Sequence, residues 1–371
     1  MIRWLRDYNL FLLGCVIVLC GFSIALVYSA TLRDEMTGGM TAGYFSRHLV
    51  NIIVGCVAMV LITALDYHAL QAWIIPFYIC SVLLLGVVLA MGMVSSGAQS
   101  WLDLGLRTFQ PSETAKLIVI LTLAAYWAHF EQRGSETIVQ LGGLLLAGVP
   151  IGLVFIQPDF GTAMVFTTVW FMIAWSAGMR YWHLLTLILM AIPTAYIGWT
   201  KVLAPYQQLR LKIFIDPIGY DPEMQNGAWH IIQSLTAIGS GGLTGHGWTH
   251  GLLTQNNYLP VQYSDFIFAV AGEELGFIGG AVLLLFEALM IWQALSIASS
   301  ARDMFGRLIA VGIAAMFMCH LLVNVGMTMS IMPITGIPLP FISYGGSFTL
   351  TTFAAIGLLQ SVAMHRHRIV F

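Results

Sequence analysis

Residues Leu10 to Ala30 read LFLLGCVIVLCGFSIALVYSA, an apolar run with no charged side chain. A helix needs about 20 such residues to cross a bilayer, and only a helix or a closed barrel satisfies its own backbone polar groups where water is absent. Ser29 and Ala30 are small, as at a signal cleavage site, but the run is too long for a signal h-region and reads as a permanent span. Similar runs follow near Leu49 to Leu65, Trp73 to Val94, Glu113 to His129, Val139 to Ile156, Phe160 to Ala177, His183 to Thr200, Asp265 to Leu295, Phe305 to Ser330 and Tyr344 to Met364. Composition agrees: 58% of the 371 residues are apolar, 9% are charged and the mean hydropathy is +0.85. An ordinary soluble domain carries about 25% charged residues, so a soluble globule, a disordered chain and a disulfide scaffold are excluded. The expected fold is an all-α polytopic membrane protein of about ten transmembrane helices, one domain over 1–371. Cys15, Cys20, Cys56, Cys80 and Cys319 lie inside apolar runs without a C-x-x-C and read as packing thiols.

An even number of spans puts both termini on one side. Arg3, Arg6, Arg133, Arg180, Arg302, Arg307, Arg366 and Arg368 then share a face, which the positive-inside rule assigns to the cytoplasm. The opposite set, Arg33, Arg47, Arg107, Lys116, Lys201, Arg210 and Lys212, includes three cations on one long loop and one within a span, which count for less. The long loop, about 201–264, is thus expected to be extracytoplasmic, together with the turns near Gln99 to Pro111, Gln157 to Asp159 and Pro333 to Ser343.

Ionisable groups at membrane depth are costly and tend to mark a site, and here they gather on the expected outer side. Glu113 and Lys116, at i and i+3 after Gln110-Pro111-Ser112, read as a structural ion pair beneath a Ser112 cap or as a charged cavity wall. Asp159, after Pro158, is placed to cap the sixth helix. Asp265 follows Leu259-Pro260-Val261-Gln262-Tyr263-Ser264 and is expected to open the eighth helix. There the helix dipole lowers its pKa and a poorly hydrated cavity raises it, as suits a base that is ionised at neutral pH. Glu273 and Glu274 point about 100° apart, so one can face a cavity while the other needs a partner or a proton; Glu287 is expected to reach the inner interface.

Within the loop, Arg210 and Lys212 stand among aromatic and amide side chains, and Ala228, Ile231, Ile232 and Leu235 predict an amphipathic helix lying in the interface. The glycines from Gly239 to Gly251 match no nucleotide-binding loop and read as sites of tight turning or close backbone approach. His246 and His250 lack a third metal ligand at useful spacing. Pro333, Pro338 and Pro340, ahead of Ser343-Tyr344-Gly345-Gly346-Ser347, predict irregular backbone lining a cavity or buried in protein.

A cavity with carboxylates and a few cations suits an amphiphile with an anionic head and a lipid tail. It predicts either an enzyme, with Asp265 taking a proton from an acceptor hydroxyl while Lys116, Arg210 or a divalent cation (Mg or Mn) steadies a departing phosphate, or a transporter of the lipid. The absence of a clear repeat and the outward clustering favour the enzyme. No metal-ligand set and no organic cofactor is read from the residues, and with a formal net charge of −2 nucleic acid is not an expected partner.

Several stretches also resemble a known family. They are Gly97-Ala98-Gln99-Ser100-Trp101-Leu102, Phe109-Gln110-Pro111-Ser112-Glu113 with Lys116, Gln157-Pro158-Asp159-Phe160-Gly161-Thr162, His230-Ile231-Ile232-Gln233-Ser234, Ser264-Asp265-Phe266-Ile267-Phe268-Ala269 with Glu273-Glu274-Gly276, and Pro338 to Ser347. They are similar to the SEDS membrane peptidoglycan glycosyltransferases, and to the RodA elongation branch more than to the FtsW division branch. The resemblance implies polymerisation of lipid II at the outer face of the bacterial cytoplasmic (inner) membrane, with a lipid II flippase as the alternative. It implies Asp265 as the essential carboxylate, Glu113, Lys116 and Asp159 as cavity residues, and as partners a class B penicillin-binding protein, elongasome proteins and membrane lipid; Arg210 and Ser343 are further candidates for the cavity on the reading of the residues themselves. Two positions depart from the pattern. Ser264 stands where threonine is common, and Ser100 where a basic residue is common, for which Arg107 or Arg47 is the expected substitute.

Overall fold

The computed structural model describes residues 8–95, 98–103, 108–202, 205–224 and 227–365. Arg3, Arg6, Gly97, Arg107, Arg366 and Arg368 lie outside the described residues. Fourteen α-helices follow in chain order: α1 (Leu10–Thr37), α2 (Tyr44–Ala64), α3 (Ile74–Met91, entered through a 3-10 turn), α4 (Pro111–His129), α5 (Thr137–Ile156), α6 (Phe160–Ser176), α7 (Tyr181–Ile197), α8 (Pro205–Ile215), α9 (Pro217–Tyr220), α10 (Ala228–Ser240), α11 (Leu252–Gln255), α12 (Ile267–Ser299), α13 (Met304–Thr328) and α14 (Gly346–Met364). Every run expected to span is helical. Eight of these segments are long and apolar enough to cross a bilayer. The other two, α4 and α6, differ for physical reasons: Glu113 and Lys116 lower the hydropathy of α4, and α6 has 17 residues. Both pack among the spanning helices, where neighbouring protein replaces lipid.

The all-α expectation misses one detail. Short strands β1 (Met93–Ser95), β2 (Ala98–Asp103) and β3 (Thr108–Phe109) form an antiparallel sheet between α3 and α4. Two bond clusters define the ends of the bundle. At one, Asn9 caps α1 through Leu12 N (3.0 Å), its own N–H donates to Gln360 Oε1 (2.9 Å), and Tyr67 N donates to Ser361 Oγ (3.2 Å). The start of α1 and the end of α14 therefore meet, as an even number of crossings requires. At the other end stand the first turns of α2, α4, α6, α12 and α14.

The interior belongs to α13 and α14, whose apolar windows are mostly buried, whereas no described residue of α7 is buried. The long loop is structured. The helix expected there exists as α10, but its buried stripe is Ala228, Ile231, Ser234 and Ala237, with Leu235 turned outward. It packs on α12 instead of lying free in an interface, and Ser234 Oγ donates to Thr328 O (2.7 Å).

The glycine-rich stretch has a clear job. Helix α12 breaks at Gly276 (φ 67°, ψ −166°). The loop covers the freed backbone: His246 N and Gly247 N donate to the carbonyls of Glu273 and Glu274, while Phe277 N and Ile278 N donate to those of Gly242 and Leu243, all at 2.9–3.1 Å. Non-helical backbone at this depth persists because another chain segment satisfies it. A side chain at Gly241 or Gly245 would collide with the carbonyls of Gly272 or Glu274. The expected close approach is to backbone.

Candidate active site

Asp265 lies near the end of a series of turns over 260–266, two residues ahead of α12. The expectation that Asp265 opens the helix is corrected here, since α12 begins at Ile267. Phe266 occupies the cap position without a side-chain bond, because Asp265 Oδ1 already accepts the hydroxyl of Ser264 (2.8 Å). Burial pushes the Asp265 carboxyl above the ordinary aspartate range, and the Ser264 bond offsets part of that rise. Among the described residues no second hydrogen-bond donor to this carboxylate is found.

Two segments fix the turn. Tyr344 N donates to Tyr263 O (2.9 Å) and Ser343 Oγ donates to Ser264 O (2.7 Å), while Asn324 Nδ2 bridges Asp265 O (3.0 Å) and Ile337 O (2.7 Å). Gly336, at φ 71°, lies close enough that an added Cβ would meet Asp265 Oδ2. The proline-containing segment is thus packed against the carboxylate, as irregular backbone buried in protein. Ser343 is itself buried and accepts Leu339 N (2.8 Å), so its hydroxyl shapes the turn.

Glu113 and Lys116 are 3% and 1% exposed and paired at 2.9 Å through both carboxylate oxygens. Ser112 does not cap them; its buried hydroxyl has no partner and Pro111 opens the helix. The third Lys116 donor goes to His320 Nε2 (3.0 Å), and His320 Nδ1 contacts Pro338 O (2.9 Å). An ammonium cannot accept, so Nε2 carries the lone pair and Nδ1 the proton. The sequence reading missed His320 and Asn324, although two polar residues at i and i+4 in an apolar helix were the available signal.

Asp159 caps α6, with Oδ1 accepting Thr162 N (2.9 Å) and Oδ2 accepting Thr162 Oγ1 (2.8 Å) and, at 3.5 Å, Gln110 Nε2. Gly161 in the next turn abuts Ile337 and Thr335 O, which sets this helix end against the same segment. Arg210, exposed on α8, lies near His230. Burial and then the Arg210 charge lower the His230 pKa, and the His230 ring meets Phe266 edge-on at 6.1 Å. Arg47 stands over Tyr44 (5.8 Å), whose ring stacks on Tyr344 at 4.9 Å. Tyr263 completes that trio; burial, then the neighbouring Tyr44 and Asp265, push its phenol up to about 12. Arg47 therefore belongs to the Asp265 neighbourhood. Ser100 is buried on β2.

The two deeper glutamates are fully buried and bonded within the protein. Glu273 accepts Leu253 N (2.7 Å), Thr254 N (3.0 Å) and Thr254 Oγ1 (2.6 Å), and Glu274 accepts Ser29 Oγ (2.5 Å), so together they pin the loop to α12 and α1. Glu287 is fully buried with neither oxygen bonded, not at an interface as expected. Among the described residues no three His, Cys, Asp or Glu side chains converge as a metal-binding group.

The model of a family described as cell cycle protein, FtsW/RodA/SpoVE, matches residues 9–368. The chain is 37% identical over 346 residues to the peptidoglycan glycosyltransferase MrdB of Escherichia coli K12, covering 92% of this chain and 91% of MrdB. It is 31% identical to the peptidoglycan glycosyltransferase RodA of Treponema pallidum, covering 97% and 98% of the two chains. Its fold is similar to a chain of a solved peptidoglycan synthase complex described as coordinating polymerisation and crosslinking, with a TM-score of 0.82, 29% identity and coverage of 97% and 99%.

Proposed function

The chain belongs to the FtsW, RodA and SpoVE family of cell cycle proteins, and on that premise we propose that Asp265 is the base of its glycan-polymerising site. The protein is an integral membrane peptidoglycan glycosyltransferase that polymerises lipid II in cell elongation. The observation that carries the assignment is the state of Asp265: a rigidly held turn presents a carboxylate with one hydrogen-bond donor and a raised pKa. Such a group keeps the capacity to accept a proton.

In the proposed step, Asp265 takes the proton of the acceptor sugar's 4-hydroxyl as its oxygen bonds to the donor anomeric carbon. The bond to the lipid pyrophosphate breaks with inversion, and the leaving group departs with the electron pair. Arg210 and Arg47 flank the turn and attract that anion from solvent-facing positions. Lys116, with all three donors engaged inside the protein, supports the site from below. A divalent cation, where the reaction needs one, enters as the counter-ion of the substrate's pyrophosphate. The reaction lies at the outer face of the cytoplasmic membrane with both termini inside, and the partner is a class B penicillin-binding protein within an elongation assembly.

The test is polymer formation from labelled lipid II by the chain with a transpeptidase-blocked partner lacking its own glycosyltransferase domain. Wild type is expected to yield glycan ladders and Asp265→Asn to lose at least about 100-fold in rate, the usual range for removing a positioned base. Ladders of normal rate from Asp265→Asn would refute the assignment.

A further inference from the structure

The bonds around His320 join into one directed chain. Lys116 Nζ donates to His320 Nε2 (3.0 Å), and His320 Nδ1 donates to Pro338 O (2.9 Å). That carbonyl belongs to the same peptide unit as Leu339 N, which donates to Ser343 Oγ (2.8 Å), and Ser343 Oγ donates to Ser264 O (2.7 Å). The last acceptor is the carbonyl of the peptide that carries Asp265. Every donor points the same way, from a buried ammonium toward the catalytic turn. Hydrogen bonds in such a series polarise one another.

We propose that His320 is a positioning residue of the polymerisation reaction, coupling the Glu113–Lys116 pair to the Asp265 turn through Pro338, Leu339, Ser343 and Ser264. The inference rests on the reading of Asp265 as base. Two features separate it from ordinary core packing. The imidazole acts at both nitrogens, accepting at one and donating at the other, so an apolar residue of similar volume breaks both links. The series also runs through single bonds, since Ser343 and the 338–339 peptide each contribute one acceptor and one donor to it. His320 further stacks on Phe348 (5.0 Å, 30°), which fixes the ring plane that aims both nitrogens.

Glutamine can reproduce both bonds, with Oε1 accepting from Lys116 and Nε2 donating to Pro338. Leucine can reproduce neither, and asparagine keeps an amide on a shorter stem. The experiment compares His320→Gln, His320→Leu and His320→Asn in the full chain with its partner, measuring kcat and KM for lipid II and amide exchange across residues 333–343. His320→Leu and His320→Asn are expected to lower kcat about 10-fold or more with KM within about two-fold of wild type, whereas His320→Gln stays within about three-fold in both. Exchange of the 333–343 amides should quicken in the Leu and Asn variants and stay slow in Gln. If His320→Leu does not fold, His320→Asn carries the comparison.

Equal loss in the Gln and Asn variants, or a raised KM with unchanged kcat, would overturn the positioning role. So would unchanged exchange in both the Leu and Asn variants, and that readout holds whether or not wild type polymerises. Absence of polymer from wild type would instead strike the glycosyltransferase reading itself.

Discussion

Asp265, in the turn just ahead of α12, and Glu273, within the first two turns of that helix, are carboxylates eight residues apart, and the protein treats them oppositely. Glu273 is fully buried and receives three hydrogen bonds, two from backbone amides and one from Thr254. Asp265 is partly exposed and receives one, from the hydroxyl beside it. A carboxylate whose oxygens are taken up by three donors serves as a structural clamp, whereas one with a single donor keeps acceptor capacity for a substrate proton. Burial and negative charge in a membrane helix therefore do not identify a reactive acid. The number of donors aimed at it does.

The sharpest challenge to this division is Lys116→Met, which leaves Glu113 charged and unpaired in the interior. Breaking a buried pair from one side costs roughly 3–5 kcal/mol, so thermal unfolding in detergent should show a large loss of stability. Equal stability would mean that Glu113 takes a proton in place of its partner. Next in size is Gly245→Ala. Its φ of 75° and the carbonyl of Glu274 both oppose a side chain, and a destabilisation of about 1–3 kcal/mol is expected, with faster proteolysis of the 241–255 loop. Asp159→Ala removes two cap bonds from α6 and should cost about 1 kcal/mol in the same unfolding assay.

The smallest effect is the most diagnostic of chemistry. Ser264→Ala removes the one bond that lowers the Asp265 pKa, so the pKa rises further. Because the base must be ionised, the acid limb of the rate profile should move to higher pH, with a rate loss of only a few-fold above it. A limb that stays in place would detach it from Asp265.

The helices were legible because the bilayer imposes a length and a polarity that few sequences meet by accident, and even α4 showed through its charges. Asp265 and the Glu113–Lys116 pair stood out as ionisable residues where such groups are costly. What the sequence hid depends on chain segments meeting far from one another in order. Which of Glu273 and Glu274 needs a partner stays open in the sequence until the loop at 241–255 folds back over the break at Gly276 and supplies donors to both. Ser343 and Ser112 look alike in sequence, yet one is bonded twice and the other has no partner. His320 is one residue in a long apolar helix, and its meaning appears only once Lys116 and Pro338 lie on either side of it.

The most direct measurement sets Asp265→Asn beside Glu273→Gln, following lipid II polymerisation and thermal unfolding of both. The account predicts that Asp265→Asn loses polymerisation and unfolds at the wild-type temperature, while Glu273→Gln unfolds earlier and still polymerises at temperatures where it is folded. Polymer from Asp265→Asn at the wild-type rate, or a folded Glu273→Gln with no activity, would contradict it.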